Sequence, residues 1–169
     1  HVDVVKVLIQ NRADVNAVNE WKSKALHGVA LNAVQCKNWT ALHYAAEEGH
    51  VDVAKVLIQN GADVNAVVNK EKWTPLHYAA EYGYVDLAKV LIQNGADVNA
   101  VGWYKWTALH KAADEGHADV AKVLIQNGAS VNALNKIRWT ALRIAAEKGH
   151  NSVVKTLIRN GAKHRYDDI

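Results

Sequence analysis

The sequence has no methionine, no phenylalanine, one proline and one cysteine among its 169 residues. The lone cysteine, Cys36, excludes an internal disulfide framework and a zinc site built from several cysteines. No segment approaches the ~20 consecutive apolar residues that a membrane-spanning helix needs. The formal net charge of +3 is smaller than a basic nucleic-acid-binding domain would carry. Because two residue types are missing from so long a chain, many of its positions are expected to be copies of one short unit.

A repeating unit is indeed present along the chain. The dipeptide Trp-Thr recurs with spacings of 34, 33 and 33 residues, at 39–40, 73–74, 106–107 and 139–140. Gly-Ala recurs with the same spacings, at 61–62, 95–96, 128–129 and 161–162. A fixed period of this length predicts a solenoid of stacked units, and not a domain with one central core.

One copy of the unit predicts a pair of short helices. The hydroxyl of Thr40 can cap the first helix by accepting a hydrogen bond from an otherwise unpaired backbone N–H. That helix is rich in alanine, which lets neighbours approach closely, and Gly49 ends it by adopting a left-handed conformation. Val53, Val56 and Leu57 then form the apolar stripe of a second helix. One such pair cannot bury its own faces, so stability must come from stacked neighbours.

The residues TPLHYA at 74–79 match the T-P-L-H-x-A signature of a known repeat. Two other copies match it with alanine in place of proline, and the match recurs in register. On these residues the chain resembles the ankyrin repeat family along nearly its whole length. The resemblance implies an all-α solenoid of helix–turn–helix units with protruding loop tips. It also implies that His43, His77 and His110 are structural and bridge neighbouring loops by hydrogen bonds.

We interpret residues 1–169 as a single repeat domain. Its predicted parts are a partial repeat at 1–18, a repeat without its second helix at 19–34, full repeats at 35–67, 68–101 and 102–134, and a C-terminal capping repeat at 135–169. After Ala30, a stretch equivalent to 47–63 is missing from the register. Either a deletion or an omitted segment explains this gap. We favour omission, so that Ala30 and Leu31 would not be bonded neighbours, because a lone first helix would leave its apolar face uncovered.

The chain begins with His1, within a second helix whose first helix is absent, so we expect it to be a fragment. Val2, Val5 and Leu8 should form the apolar stripe of this helix. We therefore expect part of that stripe to be more exposed than Val53, Val56 and Leu57.

The framework barely changes between copies, whereas the loop tips and certain first-helix positions change almost completely. In ankyrin proteins these positions line the concave binding surface, and here they are rich in Trp and Tyr, which anchor protein interfaces. The predicted partner-binding residues are Trp21, Trp39, Tyr44, Trp73, Tyr78, Tyr82, Trp103, Tyr104, Trp106 and Lys111. For the tryptophan repeated before each threonine, packing against a neighbour is an equal alternative.

Trp103, Tyr104, Trp73 and Tyr82 are expected to form one exposed aromatic patch. Trp106, Tyr78 and Lys111 should border that patch on the concave side. The loop tips are mainly basic and the first-helix ends are mainly acidic, a distribution that suits either a partner of mixed charge or plain solubility.

Catalysis finds little support in the sequence. It contains no H-E-x-x-H, G-x-x-x-x-G-K or G-x-S-x-G motif. We therefore expect a non-enzymatic, monomeric chain with no cofactor and no metal. Its expected ligand is a protein, with neither nucleic acid nor membrane as a partner.

The function predicted from the sequence is a protein–protein interaction scaffold that binds through its loop tips and the concave first-helix face. Near-identical frameworks with diversified tips resemble an engineered or library-derived ankyrin binder. The departure from designed consensus repeats is that the usual loop-tip glycine is replaced, by Lys22, Asn38, Lys72, Lys105 and Arg138. The alternative is the targeting domain of a larger natural protein, such as the ankyrin proteins that intracellular bacteria deliver into host cells.

Overall fold

A computed structural model describes residues 2–18, 39–67 and 71–163 of the chain. Within these ranges the secondary structure is helical, apart from one isolated bridge residue, Trp73. The inner helices, which are the first of each pair, are α2 (Ala41–Glu47), α4 (Pro75–Glu81), α6 (Ala108–Glu115) and α8 (Ala141–Glu147). The outer helices are α1 (Val2–Gln10), α3 (Val51–Gln59), α5 (Val85–Gln93), α7 (Ala118–Gln126) and α9 (Asn151–Arg159). The expected all-α solenoid is confirmed, and the described ranges contain four helix pairs and the unpaired outer helix α1.

The helices stack in two layers. Each inner helix packs against the next inner helix and against its own outer partner, and the outer helices α1, α3, α5, α7 and α9 pack in the same order. The core therefore runs along the whole stack, and a fully buried leucine repeats in it at Leu42, Leu57, Leu87, Leu91 and Leu124. No helix in the described ranges is long and apolar enough to cross a membrane.

The threonine before each inner helix caps it, as the sequence predicts. The side chain of Thr40 accepts a hydrogen bond from the backbone N–H of His43, and Thr107 does the same for His110. Pro75 occupies the first position of α4, where its missing N–H leaves no hydrogen bond unmade. The caps fix where each inner helix begins and so hold the loop tips in register.

The turn between paired helices requires glycine for two reasons, which Gly83 illustrates. Its φ angle is +76°, a left-handed value that suits glycine. A Cβ added there would also lie 2.6 Å from Nδ1 of His117 in the next repeat. The close approach lets Nε2 of His117 donate a hydrogen bond to the backbone oxygen of Glu81 at 3.0 Å. This turn is therefore also an inter-repeat contact.

An asparagine after each outer helix links the loops of successive repeats. Nδ2 of Asn65 donates to the backbone oxygen of Gly95 at 2.9 Å, and its Oδ1 accepts from the backbone N–H of Asp97 at 2.8 Å. Asn99 and Asn132 make the same pair of bonds with the next repeat. Asn16 makes it with Gly61 and Asp63, which lie 45 and 47 residues further along the chain. These amides set the spacing between repeats on the loop side of the stack.

The N-terminal stripe is only partly covered. Val2 and Leu8 are half-buried, whereas Val53 and Leu57 are buried, which confirms the expected exposure against these two residues. Val56 is itself half-buried and Val5 is fully buried, so the difference covers only part of the stripe. The predicted break between Ala30 and Leu31 lies outside the described residues.

Candidate functional site

The tryptophan that precedes the first inner helix is in the interior. Trp39 is fully buried, and its ring centroid lies 5.0 Å from that of Tyr44 and 4.7 Å from that of Tyr78 in the next repeat. Trp73 adds to this cluster, 5.5 Å from Tyr78. Trp39, Tyr44 and Tyr78 therefore join two repeats, and their burial favours the packing alternative over contact with a partner.

The variable inner-helix position is buried in every described copy. It is occupied by Tyr44, Tyr78, Lys111 and Ile144, all of them largely inaccessible to solvent. Tyr78 packs against Trp39 and the ammonium of Lys111 lies over Trp73, which in both cases is the tryptophan of the preceding repeat. The variation at this position therefore falls in the interior of the stack. The prediction for Lys111 is corrected as well: Lys111 is an interior residue and does not border the patch.

Lys111 is a lysine held between two indoles. Its Nζ lies 2.8 Å from Oε1 of Glu81, 4.0 Å from the ring centroid of Trp73 and 5.6 Å from that of Trp106. The carboxylate neutralises the ammonium, and both indole rings offer it cation–π contacts. Since the two side chains are only 10% and 22% exposed, this pair is poorly screened by solvent.

We expect the substitution Lys111→Met to lower the free energy of unfolding by about 1–3 kcal/mol. Methionine retains the apolar packing between the indoles but leaves the carboxylate of Glu81 without its partner. Urea unfolding measures the loss. The double variant Lys111→Met/Glu81→Gln should recover most of it, and a double variant no more stable than the single one would contradict this assignment.

Two neighbouring loop tips expose large apolar side chains to solvent. Trp103 is 57% exposed, Tyr104 45% and Ile137 55%. We use the name tip surface for a set of exposed loop residues: Lys72, Trp103, Tyr104, Lys105, Lys136, Ile137 and Arg138. Such contiguous apolar side chains with a basic surround are typical of interaction sites on proteins. The predicted exposure of Trp103 and Tyr104 is confirmed.

Backbone hydrogen bonds hold the tip surface in place. The N–H of Trp103 donates to the oxygen of Glu71 at 2.6 Å, and the N–H of Lys136 donates to the oxygen of Tyr104 at 2.7 Å. The rings of Trp103 and Tyr104 lie 5.0 Å apart, and Nζ of Lys136 lies 5.3 Å from the Tyr104 ring. The tips of three successive repeats are therefore bonded into one preformed edge.

Tyr82 belongs to a different place on the molecule. It caps the C-terminal end of α4, whereas Trp73 lies just before the N-terminal end of the same helix. Tyr82 is exposed and stacks on Tyr84, with ring centroids 6.0 Å apart. Partial burial, followed by the charges of Glu81 and Glu47, raises the pKa of Tyr82 above its ordinary value. The expected single patch of four aromatic residues is therefore wrong, because a whole helix separates Tyr82 from the loop end where Trp73 lies.

Trp73 and Trp106 are half-buried and form the base of the tip surface. The Trp73 indole lies so close to Gly102 that a Cβ at that position would collide with the ring. Trp21 lies outside the described residues. Ile137 and Lys136 were not among the predicted site residues, because isoleucine and lysine at a loop tip carry no signal beyond their variability.

The repeated histidines are structural, as the resemblance implies. Nε2 of His43, His77 and His110 lies 3.1 Å from a backbone oxygen of the next repeat, on Trp73, Trp106 and Trp139 respectively. Because a carbonyl oxygen only accepts, each Nε2 carries the proton and each Nδ1 accepts from the preceding threonine hydroxyl at 2.7–2.9 Å. Burial lowers the pKa of His43 and of His77 to about 4, and that of His110 also falls.

The described ranges contain no candidate metal site, because no group of three or more His, Cys, Asp or Glu side chains is placed there so that it could hold an ion.

Comparison with known families gives a match along most of the sequence. The family model described as ankyrin repeats (3 copies) matches residues 1–102 and 101–168. A search of curated proteins found no matching relative.

Proposed function

Because the chain belongs to the ankyrin repeat family, whose repeats are generally protein–protein interaction modules, we propose that it is a non-enzymatic scaffold that binds a protein partner through its tip surface. The observation that carries the proposal is the exposure of Trp103, Tyr104 and Ile137 on a hydrogen-bonded edge. Large aromatic side chains held in place before binding lose little conformational freedom on contact. They are also the residue types that most often dominate interface energies.

The proposed contact surface is narrower than the set predicted from the sequence. Trp103 and Tyr104 form its centre, and the half-buried Trp73 and Trp106 lie at its base. Tyr82 offers a second, separate contact at the far end of α4. Trp39, Tyr44, Tyr78 and Lys111 support this surface from the interior, where a partner cannot reach them without repeats separating.

We expect the double substitution Trp103→Ala/Tyr104→Ala to weaken binding by at least ~2 kcal/mol, or about thirtyfold in Kd. Binders are first selected from a displayed library of random linear peptides on the unaltered chain. The affinity of the selected peptides for both proteins is then measured by fluorescence anisotropy, and thermal unfolding is recorded alongside. The unfolding temperature should stay nearly unchanged, since exposed side chains contribute little to stability.

The matched control is Ile158→Ala, which removes an exposed apolar side chain from the outer helix α9. It should leave peptide affinity unaltered. Selected peptides that bind the double variant and the unaltered chain equally well would rule out the tip surface as the contact site. A variant that unfolds much earlier would show that the two rings are packing elements instead.

Both origins that the sequence allows lead to the same surface. A binding library places its variation at the loop tips, and recently duplicated natural repeats diverge there when a partner selects them. The constant outer helices and the changing tips support selection for binding in either case. The sequence of the complete gene would distinguish a library product from the targeting domain of a larger natural protein.

A further inference from the structure

Three successive loop tips share an unusual backbone feature. Lys72, Lys105 and Arg138 have φ angles of +53°, +55° and +62°, and they occupy equivalent positions 33 residues apart. This left-handed region disfavours side chains that carry a Cβ, and glycine adopts it without steric penalty. A strained conformation that recurs at one position calls for a compensating role at that position.

All three of these residues are basic, and all three are exposed. In the described part of the chain, no carboxylate lies within ion-pair distance of them. The lysines of the outer helices differ, since Lys55 pairs with Asp52 at 3.6 Å and Lys89 pairs with Asp86 at 3.2 Å. The tip cations therefore neutralise no charge of the described chain.

The cations border the exposed apolar side chains. Among the tip residues that the structure describes, they and Lys136 supply four positive charges, against the one carboxylate of Glu71. Trp103, Tyr104 and Ile137 lie among them. A ligand that complements this edge carries negative charges on both sides of one or more apolar groups.

We infer that the partner of the tip surface is an acidic protein segment, in which Asp or Glu side chains pair with Lys72, Lys105 and Arg138 and an apolar side chain packs on Trp103 and Tyr104. This inference rests on the proposed function and specifies the chemistry of its partner. Carboxylates on a flexible segment can reach cations that are spaced one repeat apart.

A nucleic acid also has negative charges and stacking rings, but it fits this molecule less well. Its phosphates repeat continuously, and the C-terminal ends of the inner helices present the exposed carboxylates of Glu48, Glu115 and Glu147 to any ligand that extends from the tips across that face. Glu71 lies within the row of cations itself. A short acidic segment can avoid these carboxylates, whereas a continuous phosphate backbone is repelled by them.

The test replaces the three cations without altering the backbone they adopt. The variant Lys72→Asn/Lys105→Asn/Arg138→Asn introduces a residue that tolerates the left-handed region, and Asn38 already occupies the equivalent position in the sequence. The control variant Lys55→Gln/Lys89→Gln/Lys122→Gln removes the same number of charges from exposed positions of the outer helices. Both are assayed with peptides selected from the random library and with a single-stranded oligothymidine.

We expect the selected peptides to be enriched in Asp and Glu around apolar residues. The asparagine variant should bind them about tenfold more weakly, since three exposed ion pairs are lost, and the glutamine variant should bind them as the unaltered chain does. Added salt should weaken binding to the unaltered chain and have less effect on the asparagine variant. The unfolding temperature of the asparagine variant should not fall.

Each contrary result overturns the inference in a distinct way. Selected peptides that need Trp103 but lack acidic residues would leave the proposed function intact and reject the acidic partner. Peptides that depend on neither Trp103 nor the cations would reject both. Equal losses in the two charge variants would indicate a general effect of net charge. Oligothymidine that binds more tightly than the peptides and is released by the asparagine variant would identify a nucleic-acid ligand.

Discussion

Lowering the pH from about 7 to about 4 should destabilise the folded chain by several kcal/mol through its buried histidines. In the folded state, burial lowers the pKa of His43 and of His77 to about 4, from an ordinary value of 6.5. In the unfolded chain both imidazoles are expected to titrate near that ordinary value. The unfolded state therefore binds more protons than the folded state throughout this interval.

The sign of the effect follows from that difference. Stability rises with pH wherever the unfolded state binds more protons, so the contribution is complete above about pH 6.5 and is lost as the pH falls towards about 4. Each of the two imidazoles can account for about 3 kcal/mol at most. Protonation of His77 also prevents its Nδ1 from accepting the hydrogen bonds that the backbone N–H and the hydroxyl of Thr74 donate.

Urea unfolding at several pH values measures this dependence. The variant His43→Gln/His77→Gln should be less stable at neutral pH but should lose less stability on acidification. Urea midpoints of the unaltered chain that stay constant between pH 7 and pH 4 would contradict the buried, neutral state of these histidines.

Trp39→Ala is expected to lower the free energy of unfolding by about 3–5 kcal/mol, because it empties the site of a fully buried indole. Trp39 contacts Tyr44 in its own repeat and Tyr78 in the next. The loss therefore weakens the interface between two units, and nearest-neighbour coupling spreads it along the stack. Guanidinium unfolding followed by circular dichroism measures the change.

Trp103→Ala is the matched control, since it removes the same side chain from an exposed position. Its free energy of unfolding should differ from that of the unaltered chain by no more than about 0.5 kcal/mol. Comparable losses in the two variants would contradict the division between interior and surface tryptophans.

The fold could be predicted from the sequence because its information is local and repeated. The threonine caps, the glycine turns and the apolar stripe each act within a few residues, and a fixed period then places the copies side by side. Even the histidine bridges followed from the family resemblance. What a single sequence lacks is an observation of which surface each side chain faces once the repeats have stacked.

That missing information explains the errors in the predicted site. The sequence predicts Tyr44 and Tyr78 as partner contacts because their position varies, yet both side chains are buried against Trp39. Alignment of adjacent repeats predicts that Tyr82 lies beside Trp103, but α4 separates Tyr82 from the loop end of its own repeat. The left-handed conformation of Lys72 and Arg138 could not be predicted, because composition does not reveal backbone angles.

The central claim is that Trp103 contacts a partner while Trp39 holds the repeats together. The most direct test follows the indole N–H signals of the six tryptophans by ¹H–¹⁵N correlation NMR during titration with a peptide selected from the random library. The account predicts that the Trp103 signal shifts progressively while the Trp39 signal stays in place. A shift at Trp39 with an unchanged Trp103 signal would contradict it.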